Sequence, residues 1–202
     1  MQAGMIRSWG EVSTWRRRPR WRHRLALSLV VGLLGAFVAL SCALFVWPPS
    51  GRPQHVNGVL SMNGPNEKLR EQRALTLVRE GYAPVLLFSE GHYPNVPCPR
   101  VPGVRVVCFI PKPARTVGEV DYADTYATRH GWRSIMIVSG HTQATRARLL
   151  AARCFSGRAV VVPAAPEPFF KLLYGVVYEW GAVVKALVVD PGCARPAVGL
   201  HG

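Results

Sequence analysis

The 23 residues from Leu25 to Trp47, LALSLVVGLLGAFVALSCALFVW, carry no charge. At about 1.5 Å per residue, such a helix crosses the roughly 30 Å hydrocarbon core of a bilayer. A soluble helix of that length would show a polar face, and this one shows none. Arg16, Arg17, Arg18, Arg20, Arg22 and Arg24 stand just before it, which predicts a cytoplasmic N-terminus. Trp15 and Trp21 on one flank and Trp47 on the other suit the two interfaces. The chain therefore reads as a single-pass plasma-membrane protein. Residues 1–24 form a cytoplasmic Arg-rich segment, 25–47 the transmembrane helix, 48–55 (PPSGRPQH) a linker, and 56–202 an extracytoplasmic domain. A cleaved signal peptide is the competing reading. Its apolar region would be unusually long, LFVWPPSG offers no small-x-small site, and the apolar run continues past Cys42, the one cysteine placed for lipidation.

That topology accounts for much of the charge. Of the formal +14, residues 1–24 hold seven arginines and one glutamate, or +6, leaving +8 for the other 178 residues. A basic chain first suggests nucleic acid. Here the charge is largely used in setting topology, no recognition helix or aromatic platform is evident, and no nucleic-acid partner is expected. Outside the membrane, thiols oxidise. Cys98, Cys108, Cys154 and Cys193 allow three pairings; Cys98–Cys108 would close a short Pro-rich loop, and Cys154–Cys193 would tie down the C-terminal tail. Their spacing fits no compact zinc pattern, and no metal is expected. With the opposite topology, all four would be buried free thiols.

Beyond the linker, apolar runs alternate with helical patterns. HVNGVLSM, PVLLFS, VRVVCFI, SIMIVS and RAVVV read as strands, the first weakened by Asn57 and Gly58. Residues 66–80, 117–130 and roughly 143–154 read as helices, the first two closed by Gly81 and Gly131. This order predicts an α/β domain, a Rossmann-like parallel sheet with helices on both faces. The last apolar segment, EPFFKLLYGVVYEWGAVVKALVV, places Lys171, Glu179 and Lys185 within an arc of about 120°. It is read as a helix packed on the domain, with lying on the membrane surface as the alternative, rather than as a second span.

In open parallel sheets, ligands bind beyond the carboxyl ends of the strands. Asn63-Gly64, Ser89-Glu90-Gly91, the loop before Thr116 and Glu119, and Ser139-Gly140-His141-Thr142-Gln143 all fall there. Arg70 shares a helical stripe with Ala74, Leu77 and Val78, and Arg146 shares one with Leu149 and Leu150. A guanidinium on a core-facing stripe calls for an anion, supplied by a ligand or by a structural ion pair. Helix N-termini favour the same charge. The ligand expected is a phosphate- or carboxylate-bearing small molecule. Thr116-x-x-Glu119 also reads as a capping box, and Thr142 as a cap of its helix. No Gly-x-Ser-x-Gly, Walker or His-Glu-x-x-His pattern occurs, and no cofactor is identified.

The order of these segments resembles the YdcF/SanA/ElyC-like envelope family, a family built on a domain of unknown function. The resemblance covers roughly residues 56–187. It rests on VLSMNG, on Arg70 eleven residues before Gly81, on Ser89-Glu90-Gly91, on RTVGE and on IVSGHTQATRA. YEWGAVVKAL with CP…VVCF looks like the actinobacterial single-anchor branch. The resemblance implies a Rossmann-like fold and a role in envelope or cell-wall physiology. Some members are associated with S-adenosylmethionine, others with barrier function or lipid-carrier steps of wall synthesis. Gln143 stands where the family has a histidine, and Asn63-Gly64 where Gly-Gly is common. An amide does not titrate, so Gln143 cannot transfer a proton.

The leading reading is thus a membrane-anchored envelope protein that clamps an anion between Arg70 and Arg146. Asn63, Gly64, Ser89, Gly140 and Thr116 would supply donors, with Glu119 or His141 as acid or base. The alternative is a non-catalytic sensor or scaffold for cell-wall synthesis proteins.

Overall fold

The computed structural model describes residues 20–64, 67–90, 98–189 and 191–193. The chain divides into two compact units, Met1–Val38 and Ala39–Gly202. Helix α1, Arg20–Ser41, begins in the first unit and ends in the second, where a π-helical turn, Cys42–Val46, continues it. The window His23–Val46 is long and apolar enough to cross a membrane.

The second unit is built on five parallel strands: β1 Gly58–Ser61, β2 Val85–Ser89, β3 Arg105–Phe109, β4 Ser134–Ser139 and β5 Arg158–Pro163. Their order is β3-β2-β1-β4-β5. The chain winds outward from β1 through β2 to β3, then returns to place β4 and β5 on the other side. Successive side chains of a strand point to opposite faces, so each apolar run serves two cores. Helix α2, Glu67–Arg79, packs Ala74, Leu77 and Val78 against Val59, Leu86, Met136 and Val138. On the other face, α3 (Thr116–Arg129) and α4 (Ala144–Cys154) bring Val120, Ala123, Ala147 and Leu150 against Leu60, Leu87, Ile135 and Ile137. Burial on both faces explains why these strands read as continuous apolar runs. The α/β parallel sheet expected from the sequence is present.

Asn57 and Gly58 do not weaken β1. The Asn57 carboxamide oxygen accepts from the backbone N–H groups of Arg133 and Ser134, and Gly58 makes room for the Trp132 ring. The disulfides are Cys98–Cys108 and Cys154–Cys193, the expected pairing, and Cys42 is a free thiol.

Helix α5, Phe169–Val184, continues into a second π-helical turn, Lys185–Val189. Glu179, Val183 and Ala186 are buried against the domain. By length and composition alone, Phe169–Val189 would also suffice to cross a membrane.

Candidate functional site

The strand order reverses between β1 and β4, which leaves a crevice at their carboxyl ends. Arg70 reaches that point from α2. Its guanidinium donates to the Met62 carbonyl at 3.3 Å and is only 2% exposed. Two glycines make the placement possible. A Cβ at Gly64 would lie 2.8 Å from Arg70 Nη1, and one at Gly140 would lie 3.0 Å from Nη2. Gly64 also has φ +137°, a conformation that glycine alone adopts readily. These two positions, at the ends of β1 and β4, need glycine because a buried cation occupies the space a side chain would fill.

Glu119 approaches from the first turn of α3. Its carboxylate accepts the Asn63 backbone N–H at 2.7 Å. Ser89 Oγ, buried at the end of β2, faces the same carboxylate without meeting strict hydrogen-bond geometry. Burial pushes the Glu119 pKa above the usual carboxylate range, against the opposing pull of Ser89, the Asn63 N–H and Arg70. Burial likewise lowers the Arg70 pKa, partly offset by Glu119; an arginine starts so high that it remains a cation.

The expected capping box at Thr116 and Glu119 does not form. Helix α3 begins without a side-chain cap, because both side chains are turned into the crevice. Thr116 Oγ1 accepts from Gln143 Nε2 at 3.1 Å and from Arg146 Nη1 at 2.6 Å. With both lone pairs taken, its hydroxyl can only donate further. Thr142 does not cap α4 either: the helix follows Gln143 without a side-chain cap. Gln143 is held at both ends, its Oε1 accepting the Gly140 N–H at 3.3 Å.

Both arginines of the expected clamp line the cavity, but they differ in their partners. Arg146 is engaged by Glu179 of α5, Nε to Oε2 at 2.8 Å and Nη2 to Oε1 at 2.9 Å. Burial works against the charged guanidinium, but this fork-to-fork pairing outweighs it and raises the Arg146 pKa. Arg146 therefore ties α4 to α5 and Thr116, and Arg70 is the cation set at the switch point.

His141 is turned elsewhere. Its Nε2 meets the Val46 carbonyl at 2.8 Å, and Thr145 Oγ1 donates to the Leu44 carbonyl. The loop after β4 thus docks the end of the apolar N-terminal segment, and His141 does not line the crevice among the described residues. Glu90 bonds through its backbone N–H to Phe109 and stays outside the lining, as does buried Ser139, whose hydroxyl donates to the Gly140 carbonyl. Gly91 lies outside the described residues.

The crevice opens into a cavity of about 960 Å³. Asn63, Gly64, Arg70, Thr116, Glu119, Gly140, Gln143 and Arg146 form one end; Lys171, Tyr174, Tyr178 and Glu179 of α5, with Lys185 of the π-helical turn that follows it, form the facing wall. That wall was missed from the sequence. Its signal was the shared arc of Lys171, Glu179 and Lys185, which marks the cavity side of α5. Chemically, the site offers the buried Arg70 cation, backbone and amide dipoles, and the buried Glu119 carboxyl, with Glu179 engaged by Arg146 across the cavity. Comparison with family models, with curated proteins and with solved structures finds no match.

Proposed function

We propose that this is a membrane-anchored, extracytoplasmic protein of the YdcF/SanA/ElyC-like type, with a Rossmann-like domain that binds an anionic small ligand at the β1–β4 switch point. The observation that carries the reading is Arg70, a buried guanidinium held under Gly64 and Gly140 at the floor of a large cavity. Placing such a group out of water is costly, and an anion that reaches it offsets that cost through charge-assisted hydrogen bonds. Two disulfides and an arginine-led apolar segment support an extracytoplasmic domain. The envelope role rests on the resemblance of VLSMNG, Arg70, Ser89, RTVGE and IVSGHTQATRA to that family.

Glu119 is a carboxyl of the proposed site whose pKa burial raises, and any proton transfer falls to it. A second reading, binding without turnover for sensing or scaffolding wall synthesis, is favoured by Gln143 and His141. The first has both ends of its amide engaged, and the second faces Val46.

Thermal shift of the full-length protein tests anion binding. Inorganic phosphate, sugar phosphates and nucleotides are compared with the corresponding neutral sugars and nucleosides. Phosphate-bearing ligands at about 100 times their Kd should stabilise the fold by about 2.7 kcal/mol, and the neutral compounds should not. Equal shifts for charged and neutral members would overturn the reading. Phosphate release from the bound compounds separates an enzyme from a sensor.

A further inference from the structure

Arg146 already holds an anion, and that anion belongs to the chain itself. Glu179 presents two carboxylate oxygens to its fork, at 2.8 and 2.9 Å, and Thr116 Oγ1 accepts a third N–H at 2.6 Å. A free carboxylate or phosphate offers the same pair of oxygens in the same fork-to-fork geometry. Arg146 and Glu179 both line the cavity, so a solute inside it meets the pair directly. Both also act electrostatically on Arg70, which puts the two guanidiniums within one field.

What Glu179 secures is the first half of α5. From Phe169 to Glu179, Glu179 is the one buried residue; the others are half-buried or exposed. The later part of the helix and the turn after it are held independently. Trp180 Nε1 donates to Ser41 Oγ at 3.0 Å, and Arg153 Nη1 donates to the Ala186 carbonyl at 2.9 Å. Upstream, residues 164–168 have no regular structure and include Pro166 and Pro168. A segment with few buried contacts opens at low free-energy cost. Once released by Arg146, the first half of α5 has a pivot near Trp180, slack before it, and little else to hold it over the cavity.

Resting on the anion-binding reading above, we propose that Arg146 is a second anion subsite kept shut by Glu179, and that the cavity selects molecules carrying two anionic groups. The first group reaches Arg70. The second takes the Arg146 fork, and Glu179 leaves with the first half of α5. Tethering explains the selectivity: a group delivered beside the fork by its partner at Arg70 has a high effective concentration there, whereas a single anion must displace Glu179 from solution.

The test uses the full-length protein and two sets of probes. Phosphonoacetate, phosphonopropionate and phosphonobutyrate are each compared with the alkylphosphonate of equal carbon number. By calorimetry, at least one phosphonocarboxylate should bind at least about tenfold tighter than its counterpart, the worth of a charge-assisted hydrogen bond. In Glu179→Gln, whose amide still bonds Arg146 without the charge, that preference should widen by about a further tenfold. A preference that stays the same in the folded variant overturns the competition. Hydrogen exchange then separates displacement from a change of field. The tighter phosphonocarboxylate should speed exchange of the amides from Phe169 to Glu179 in the unaltered protein, and the alkylphosphonate should not. Exchange unchanged or slowed by that ligand overturns the displacement, whether or not the variant folds. Alkylphosphonates that bind as tightly as their counterparts overturn the second subsite and leave the Arg70 reading standing. No binding by either set removes both.

Discussion

Glu119 is a carboxyl surrounded by protein, bonded to one backbone N–H and facing a buried guanidinium. Its raised pKa fixes the sign of two pH effects. The protonated form is the one the fold favours, so its contribution to stability is present at low pH and is lost as pH rises through its folded pKa. An anion beside Arg70 favours the protonated form further, so binding takes up a proton. Affinity for sulfate, whose own charge is constant above strongly acidic pH, should rise as pH falls, approaching about tenfold per pH unit above the Glu119 pKa. In Glu119→Gln, calorimetry should find that dependence abolished. An unchanged pH slope in a folded Gln variant would show that Glu119 is not coupled to the site. At this scale much of the site was legible: an arginine on the Ala74–Leu77–Val78 stripe asks for an anion whatever the fold. What was not legible was which partner each arginine takes, because Glu179 lies 33 residues beyond Arg146 and only the folded chain brings them together. The Thr-x-x-Glu spacing misled for a related reason: capping is a local option that loses when a tertiary partner makes the better bond.

Between elements, the Arg146–Glu179 pair is what fastens α5 to α4 over the cavity. Its side chains are 14% and 4% exposed, so removing one charge leaves the other largely out of water. Glu179→Ala should cost about 3 kcal/mol and lower the Tm by about 6–12 °C for a domain of this size, measured by calorimetry. A shift within error would mean that α5 is held mainly by Val183 and Ala186. Strands and helices themselves were readable because their periods are strong: strands buried on both faces have no polar side to blur the apolar run. For α5, the arc of Lys171, Glu179 and Lys185 was equally visible, but a stripe does not say which way it faces. In the fold only Glu179 of that arc is buried, paired with Arg146, while Lys171 and Lys185 stay exposed at the cavity rim.

Over the whole molecule, topology and site are physically linked. The loop that carries Gly140 and Gln143 also holds, through His141 and Thr145, the carbonyls of Val46 and Leu44. The apolar segment therefore ends against the loop that lends Gly140 and Gln143 to the cavity wall, a proximity that no local pattern in the chain announces. His141 looked like a proton-transfer group because it sits in a loop at a sheet edge; the structure gives it a docking bond. Everything about the proposed ligand depends on the buried cation at the switch point. The most direct test is calorimetric titration of inorganic phosphate into full-length protein and its Arg70→Gln variant, with circular dichroism to establish that the variant is folded. The account predicts loss of at least about tenfold in affinity, the worth of a charge-assisted hydrogen bond. A folded Arg70→Gln protein that binds phosphate as tightly as the unaltered chain would contradict it.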